Sequence, residues 1–519
     1  MINLNDDFYK MKYKKYKNKY ITIKNQYGGT INRYGPMLEV TQENIDENYK
    51  TLEELKKTDT ITELIFRSNT TIDNDGAAKI AEFIKKLTKL TKFQFSNNGN
   101  DDQVIEKIVE SLKNLNTLKH LTFSEGNISS ADFVALASSF KSMSGLIHLN
   151  LSINNIDKEG AIALANSFEQ MPNLTYLDLA YIRFDSHGAD ALAKSFKNMH
   201  NLTSLDLNNI RFDSEDAIEL AECFKNMHDL TYLNLSSNNF KSEGVIVLAN
   251  SFEKMHNLTY LNLSKNYIGS EGASSLTEGF KNMSKLTNLN LSSNNFGSEG
   301  AIALVPGFTH TSTLQILNLS SNDFGNKGTI ALAEGFTNMS TLQSLSLSSN
   351  SIDNEGAIAL ARNFHNISDL KYLNLNHNTI GNEGASALAD SFKYIKQLTE
   401  LNLVGNNIGN DGASALADSF QYILQLKYLR LDNNKISDKG AIKLVNSFPN
   451  KDKYNILNLS YNYISNKSES TLKQTVMMNT YELQINGQKK QENSQICIPN
   501  VNGSHMTIAE CEDVDDTNT

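Results

Sequence analysis

His200, His228 and His256 stand 28 residues apart, at the same place in three successive copies of one unit. Stacked copies would bring the three imidazoles together, and such a column could hold a metal or titrate near neutral pH. No carboxylate or cysteine shares the spacing to complete a ligand set, so the stripe reads as repeat copying, and neither a metal nor another cofactor is expected. Arg183 and Arg211 are also 28 residues apart, in DLAYIRFDSHG and DLNNIRFDSED, where they could form a local loop site. The chain carries no glycine-rich phosphate loop, zinc spacing, nucleophile with a matching base or paired-acid signature, so it is not expected to be an enzyme.

The remaining chemistry is that of binding. Tyr176 and Asp178, Tyr232 and Asn234, Tyr260 and Asn262, Tyr372 and Asn374, and Tyr428 and Arg430 occupy one pair of offsets within the unit. Tyr and Arg bury a large area while keeping a polar tip, which favours them as interface anchors. Together with Arg183 and Arg211, these residues are the candidate contacts for a protein partner. The tyrosines are expected to stand exposed above a small, polar ribbon.

The unit that positions them is typified by residues 146–173, LIHLNLSINNIDKEGAIALANSFEQMPN. Its leading leucine returns without insertion from Leu146 to Leu426, and weaker copies reach back to Ile61 and forward to Tyr454. A fixed period of this length signals a solenoid. Leu146-x-x-Leu149-x-Leu151 alternates like a short strand with one buried face. Asn154 follows where the chain must turn and recurs through Asn462 as a ladder, but Ile182 and Ile210 replace it in two units. Ser270-Glu271-Gly272-Ala273 and Asn354-Glu355-Gly356-Ala357 read as helix starts, with Ser or Asn in the capping position. Ala161, Leu164, Ala165 and Phe168 then form one helical stripe, whose Phe recurs from Phe140 to Phe448. Val305-Pro306-Gly307 is expected to shorten or bend one helix.

A strand, a helix and another parallel strand require a right-handed crossover. The expected fold is therefore an α/β right-handed solenoid with a parallel sheet. Strands about 4.8 Å apart and helices about 8 to 10 Å apart bend the stack into a horseshoe, sheet on the concave side and helices on the convex side. The LxxLxLxxNxIxxEGAxxLAxxF form resembles the leucine-rich repeat family, in its ribonuclease-inhibitor-like class. That resemblance implies a non-catalytic scaffold binding protein through its concave strands and adjoining loops. It also admits a regulator of a small GTPase, since GTPase-activating proteins of Ran use a similar repeat.

The other segments are expected to be a basic amphipathic stretch at residues 1–29, a cap at 30–60 with a helix over 43–57, the solenoid at 61–486 and a disordered acidic tail at 487–519. Tyr481, Leu483 and Ile485 should supply a last strand. The segment YKKYKNKYITIKNQYGG is similar to amino-terminal segments of giant-virus (mimivirus-like) proteins, and its Tyr seam offers a route to self-association. The partner expected from this is a host or viral protein, and a structural virion role is a further alternative. A net charge of -10 argues against a nucleic-acid binder. Three cysteines form no disulfide framework, and no 18-residue apolar run exists to span a membrane. The expected location is the cytoplasm, of a host cell if the protein is viral, or a virion.

Overall fold

The computed structural model describes residues 37–40, 61–66, 72–96, 102–125, 128–182, 184, 186–449, 455–477 and 481–489. The helix expected over 43–57, the basic stretch at 1–29, and the tail beyond 489 lie outside the described residues. Within them, 17 strands form one sheet and alternate with helices, each strand pairing in parallel with the next in sequence. A strand precedes the first repeat, because Met37–Val40 pairs with Glu63–Phe66. At the other end Glu482–Gln484 closes the stack against Ile456–Asn458, as expected. The whole is a right-handed α/β solenoid of 28-residue repeats, its sheet concave and its helices convex.

Register follows the period. Leu177 pairs with Leu205, Leu205 with Leu233 and Leu233 with Leu261, so each leucine lies over its counterpart. These leucines are fully buried, as are Phe140, Phe196, Phe252 and Phe308 of the helical stripe. One continuous apolar core results, built from layers that touch only their neighbours.

The ladder asparagines close each turn with their side chains. Asn322 Nδ2 donates to Leu319 O of its own unit and to Leu291 O of the preceding one, both at 3.0 Å, while its Oδ1 accepts from Asn294 N–H at 2.8 Å. Buried backbone groups at a sharp turn are thereby satisfied across the repeat boundary. At the carboxyl end Gln488 takes the ladder position, its Oε1 accepting from Asn462 N–H at 3.0 Å. Where Ile182 and Ile210 replace Asn, both side chains are fully buried, and Leu179 O accepts instead from Ile182 N–H at 3.3 Å.

Two expectations fail at the helix starts. Ser270 is not a cap: its helix begins at Gly269, whose φ of +64° suits glycine, and whose N–H donates to Asn294 O of the next unit. Asn354 does cap a helix, but that of the following repeat. Its Oδ1 accepts from Gly381 N–H at 2.8 Å and Gly384 N–H at 3.0 Å, and Asn382 and Asn410 repeat the arrangement. The amide oxygen accepts from the first turn of the neighbouring helix, whereas the Ser242 hydroxyl, at the same place in its unit, donates to Ile268 O of the following repeat at 2.7 Å. Pro306 neither ends nor shortens its helix, Gly297–Phe308, which equals its neighbour in length. The proline is exposed in the last turn and sits above the exposed Ile302, so the carbonyl it leaves unpaired lies on the solvent side.

Candidate functional site

The strands are three residues long over most of the sheet, and the residues flanking the central buried leucine face the concave side. Their columns can be read along the register. The first column runs His120, His148, Tyr176, Ser204, Tyr232 and Tyr260, and the second Thr122, Asn150, Asp178, Asp206, Asn234 and Asn262. Parallel pairing puts these neighbours about 4.8 Å apart, close enough for rings to stack.

They do stack, in two groups. The His148 and Tyr176 rings lie 4.0 Å apart and nearly parallel, with His120 next in line at 5.5 Å. The Tyr232 and Tyr260 rings lie 4.3 Å apart at an interplanar angle of 12°. All five tyrosines expected to stand exposed on the strands, Tyr176, Tyr232, Tyr260, Tyr372 and Tyr428, are half-buried, because each lies against the row beside it. Burial, and then the charges of His120 and Lys92, hold the His148 imidazole down at about 4, so it is neutral near pH 7.

Between the two ring groups sit two carboxylates on adjacent strands, with Asp178 paired to Asp206. Asp178 accepts from Asn150 Nδ2 and from Ala180 N–H, each at 3.0 Å. Asp206 accepts from Tyr232 Oη at 3.2 Å, Asn234 Nδ2 at 3.0 Å and Asn208 N–H at 3.0 Å. Burial and the neighbouring Asp206 push Asp178 up to about 7, against the pull of those hydrogen bonds. Burial raises Asp206 as well. Like charges directly opposite on a sheet repel, and among the described residues neither forms an ion pair.

The other predicted positions divide. Asn234, Asn262 and Asn374 are buried, and each accepts from the N–H two residues on, at Ser236, Ser264 and Asn376. Their amides shape the strand exit rather than present a free face. Tyr372, Tyr428 and Arg430 form a second patch with Glu400, whose carboxyl is raised by burial and pulled back by Arg430. Arg430 is exposed. Between the patches the sheet shows Asn288, Asn290, Ile316, Asn318, Ser344 and Ser346, with no charge. Arg211 is exposed on the turn edge with φ +67°, and Arg183 lies outside the described residues.

His120, His148, Asp206 and Glu400 were not among the candidates, although they occupy the same offsets in LxxLxL as Tyr176 and Asp178. The offset itself was the signal that could have found them. His200, His228 and His256 are exposed in the connections between helix and strand, away from this surface. No group of three His, Cys, Asp or Glu able to hold a metal occurs among the described residues. No helix among them is long and apolar enough to cross a membrane. Cys223 is buried, and burial pushes its thiol up to about 11.

The Leucine Rich repeat family model matches nine times, over residues 146–165, 226–249, 254–276, 282–305, 310–333, 338–361, 366–389, 396–417 and 425–445. Both Ile-containing turns, with their preceding strands, fall in the gap between the first two matches. No curated protein matches the chain in sequence. Among solved structures, an internalin from Listeria monocytogenes is similar at 20% identity and a TM-score of 0.47, over 72% of this chain and 88% of that one. A TDR receptor is similar at 20% identity and a TM-score of 0.42, over 78% of this chain and 60% of that one. The Arabidopsis receptor kinase HAESA, in complex with the peptide hormone IDA and the co-receptor SERK1, is similar at 21% identity and a TM-score of 0.41, over 79% of this chain and 59% of that one.

Proposed function

We propose that this leucine-rich repeat protein is a non-catalytic scaffold that takes a protein partner on its concave sheet, over the strands from His120 to Asn262. The observation that carries the reading is the bracketing of Asp178 and Asp206 by two stacked ring pairs, followed along the sheet by the small, neutral, polar strands from Asn288 to Ser346. Half-buried aromatics beside half-buried acids offer a partner area, shape and charge in one place, which is how interface anchors concentrate binding energy. The full helix in each 28-residue unit supports the ribonuclease-inhibitor-like class. A host or viral protein is the partner this reading names.

Crosslinking mass spectrometry on the purified complex tests it. Crosslinks should map to residues flanking these strands, and Tyr232→Ala with Tyr260→Ala should weaken capture at least about 30-fold, a hot-spot magnitude. Undiminished capture, with loss on changing Arg183 and Arg211, would move the site to the turn edge.

A further inference from the structure

One gap in the ring column has a definite shape. Ser204 stands between Tyr176 and Tyr232 in the register, so the two ring pairs are separated by two strand spacings, about 10 Å between ring centres. Tyr232 leans over this gap, since its Oη reaches Asp206 on the strand that carries Ser204. The result is a slot with aromatic walls, a serine floor and Asp178 and Asp206 along one side.

We propose that this slot receives the guanidinium of an arginine side chain presented by the bound partner. A planar cation stacks on aromatic faces and takes its N–H bonds in one plane, which matches ring walls with carboxylates at their edge. Arginine suits the slot better than lysine, whose ammonium is a strongly hydrated point charge. The acid pair supplies the complementarity: two carboxyls in adjacent strands, with only neutral hydrogen-bond donors around them, hold on to protons that a cation placed between would displace, leaving carboxylates to accept its N–H bonds. The neutral imidazole of His148 adds no opposing charge. The second patch differs on this point, because Glu400 there already has Arg430 beside it.

This inference rests on the concave-scaffold reading and deepens it. The test uses the full chain and two peptides, acetyl-Gly-Arg-Gly amide and its citrulline counterpart, which keeps the shape and removes the charge, titrated by NMR. The arginine peptide should bind saturably, with shifts confined to the strands around Ser204, and at least about 10-fold more tightly than the citrulline peptide. Asp178→Asn with Asp206→Asn should abolish that difference. Ser204→Tyr, which extends the ring column with a residue already common in it, should block binding while leaving both acids in place. Circular dichroism melts of each variant separate local effects from unfolding. Equal affinity for the two peptides, no saturable binding at millimolar concentration, or binding unaffected by Ser204→Tyr would overturn the proposal. If the arginine peptide fails while the Tyr232 and Tyr260 variants still weaken the partner, the slot falls and the scaffold stands.

Discussion

The stretch around Ile182 and Ile210 and the stretch from Asn294 to Asn350 share one architecture and differ in what they expose. In the second, the asparagine ladder is unbroken and the sheet above it is uncharged. In the first, apolar side chains fill the ladder position and the sheet carries Asp178, Asp206 and the flanking rings. Strand register is the same in both, and the helical Phe is buried in both. The leucine and phenylalanine layers therefore set the stacking, and the turns and the concave surface can diverge without disturbing it. Where Ile210 removes one ladder amide, Leu207 O keeps the other donor that the ladder gives it, Asn238 Nδ2 of the next unit.

The largest expected effect tests the shared part. Phe196→Ala and Phe308→Ala should each cost about 3 to 5 kcal/mol locally, read by hydrogen exchange of the helices around them. Clearly unequal losses would mean that the two stretches pack differently.

Next comes the ladder. Asn322→Ile, which copies the drifted residue into the regular stretch, leaves Asn294 N–H without its acceptor and takes one of two amide donors from Leu291 O and Leu319 O, which keep Asn294 Nδ2 and Asn350 Nδ2, and should cost about 3 kcal/mol. A loss below about 1 kcal/mol would show that the two turn types are interchangeable.

Titration separates the stretches more gently. The carboxyl of Asp178 keeps its proton up to about 7, whereas in the unfolded chain it ionises near 3.8. Between those values the folded state binds more protons, so stability is highest at low pH and falls as the pH rises. The groups facing the pair are His148 and Asn150 on one side and Tyr232 and Asn234 on the other, and none is cationic near neutral pH. Protection of strands Tyr176–Asp178 and Ser204–Asp206 should fall by about 2 kcal/mol from pH 5 to 7. Asp216, raised to about 6 by burial, contributes with the same sign through its helix start, so Asp178→Asn and Asp206→Asn should flatten the slope only in part. Strands Ile316–Asn318 and Ser344–Ser346 carry no carboxylate and should not respond, and an equal slope there would remove the distinction.

The smallest effect concerns the reach between repeats. Asn354→Ser removes the bonds to Gly381 and Gly384 and should lower the stability of the next helix by about 1 kcal/mol, measured as faster exchange at its first turn. An unchanged rate would mean that solvent caps that helix equally well.

What the sequence determined by itself is the period and everything that depends on it. Leucines at fixed offsets dictate which strand face is buried, an unbroken 28-residue spacing dictates in-register parallel pairing, and the Phe stripe dictates which helix face meets the sheet. Periodicity is a property of one unit, and one unit suffices to read it. The tertiary structure decided what arises only between units. Ser270 and Asn354 share a place in the unit, yet one lies inside a helix and the other caps its neighbour's. Tyr176 and Tyr232 share an offset, yet their half-burial and the slot over Ser204 depend on which residues stand in the adjacent rows. Asp178 and Asp206 are ordinary acids in the sequence, and only the stacking of their strands in a shielded sheet turns them into a coupled pair, because desolvation and repulsion act across space and not along the chain.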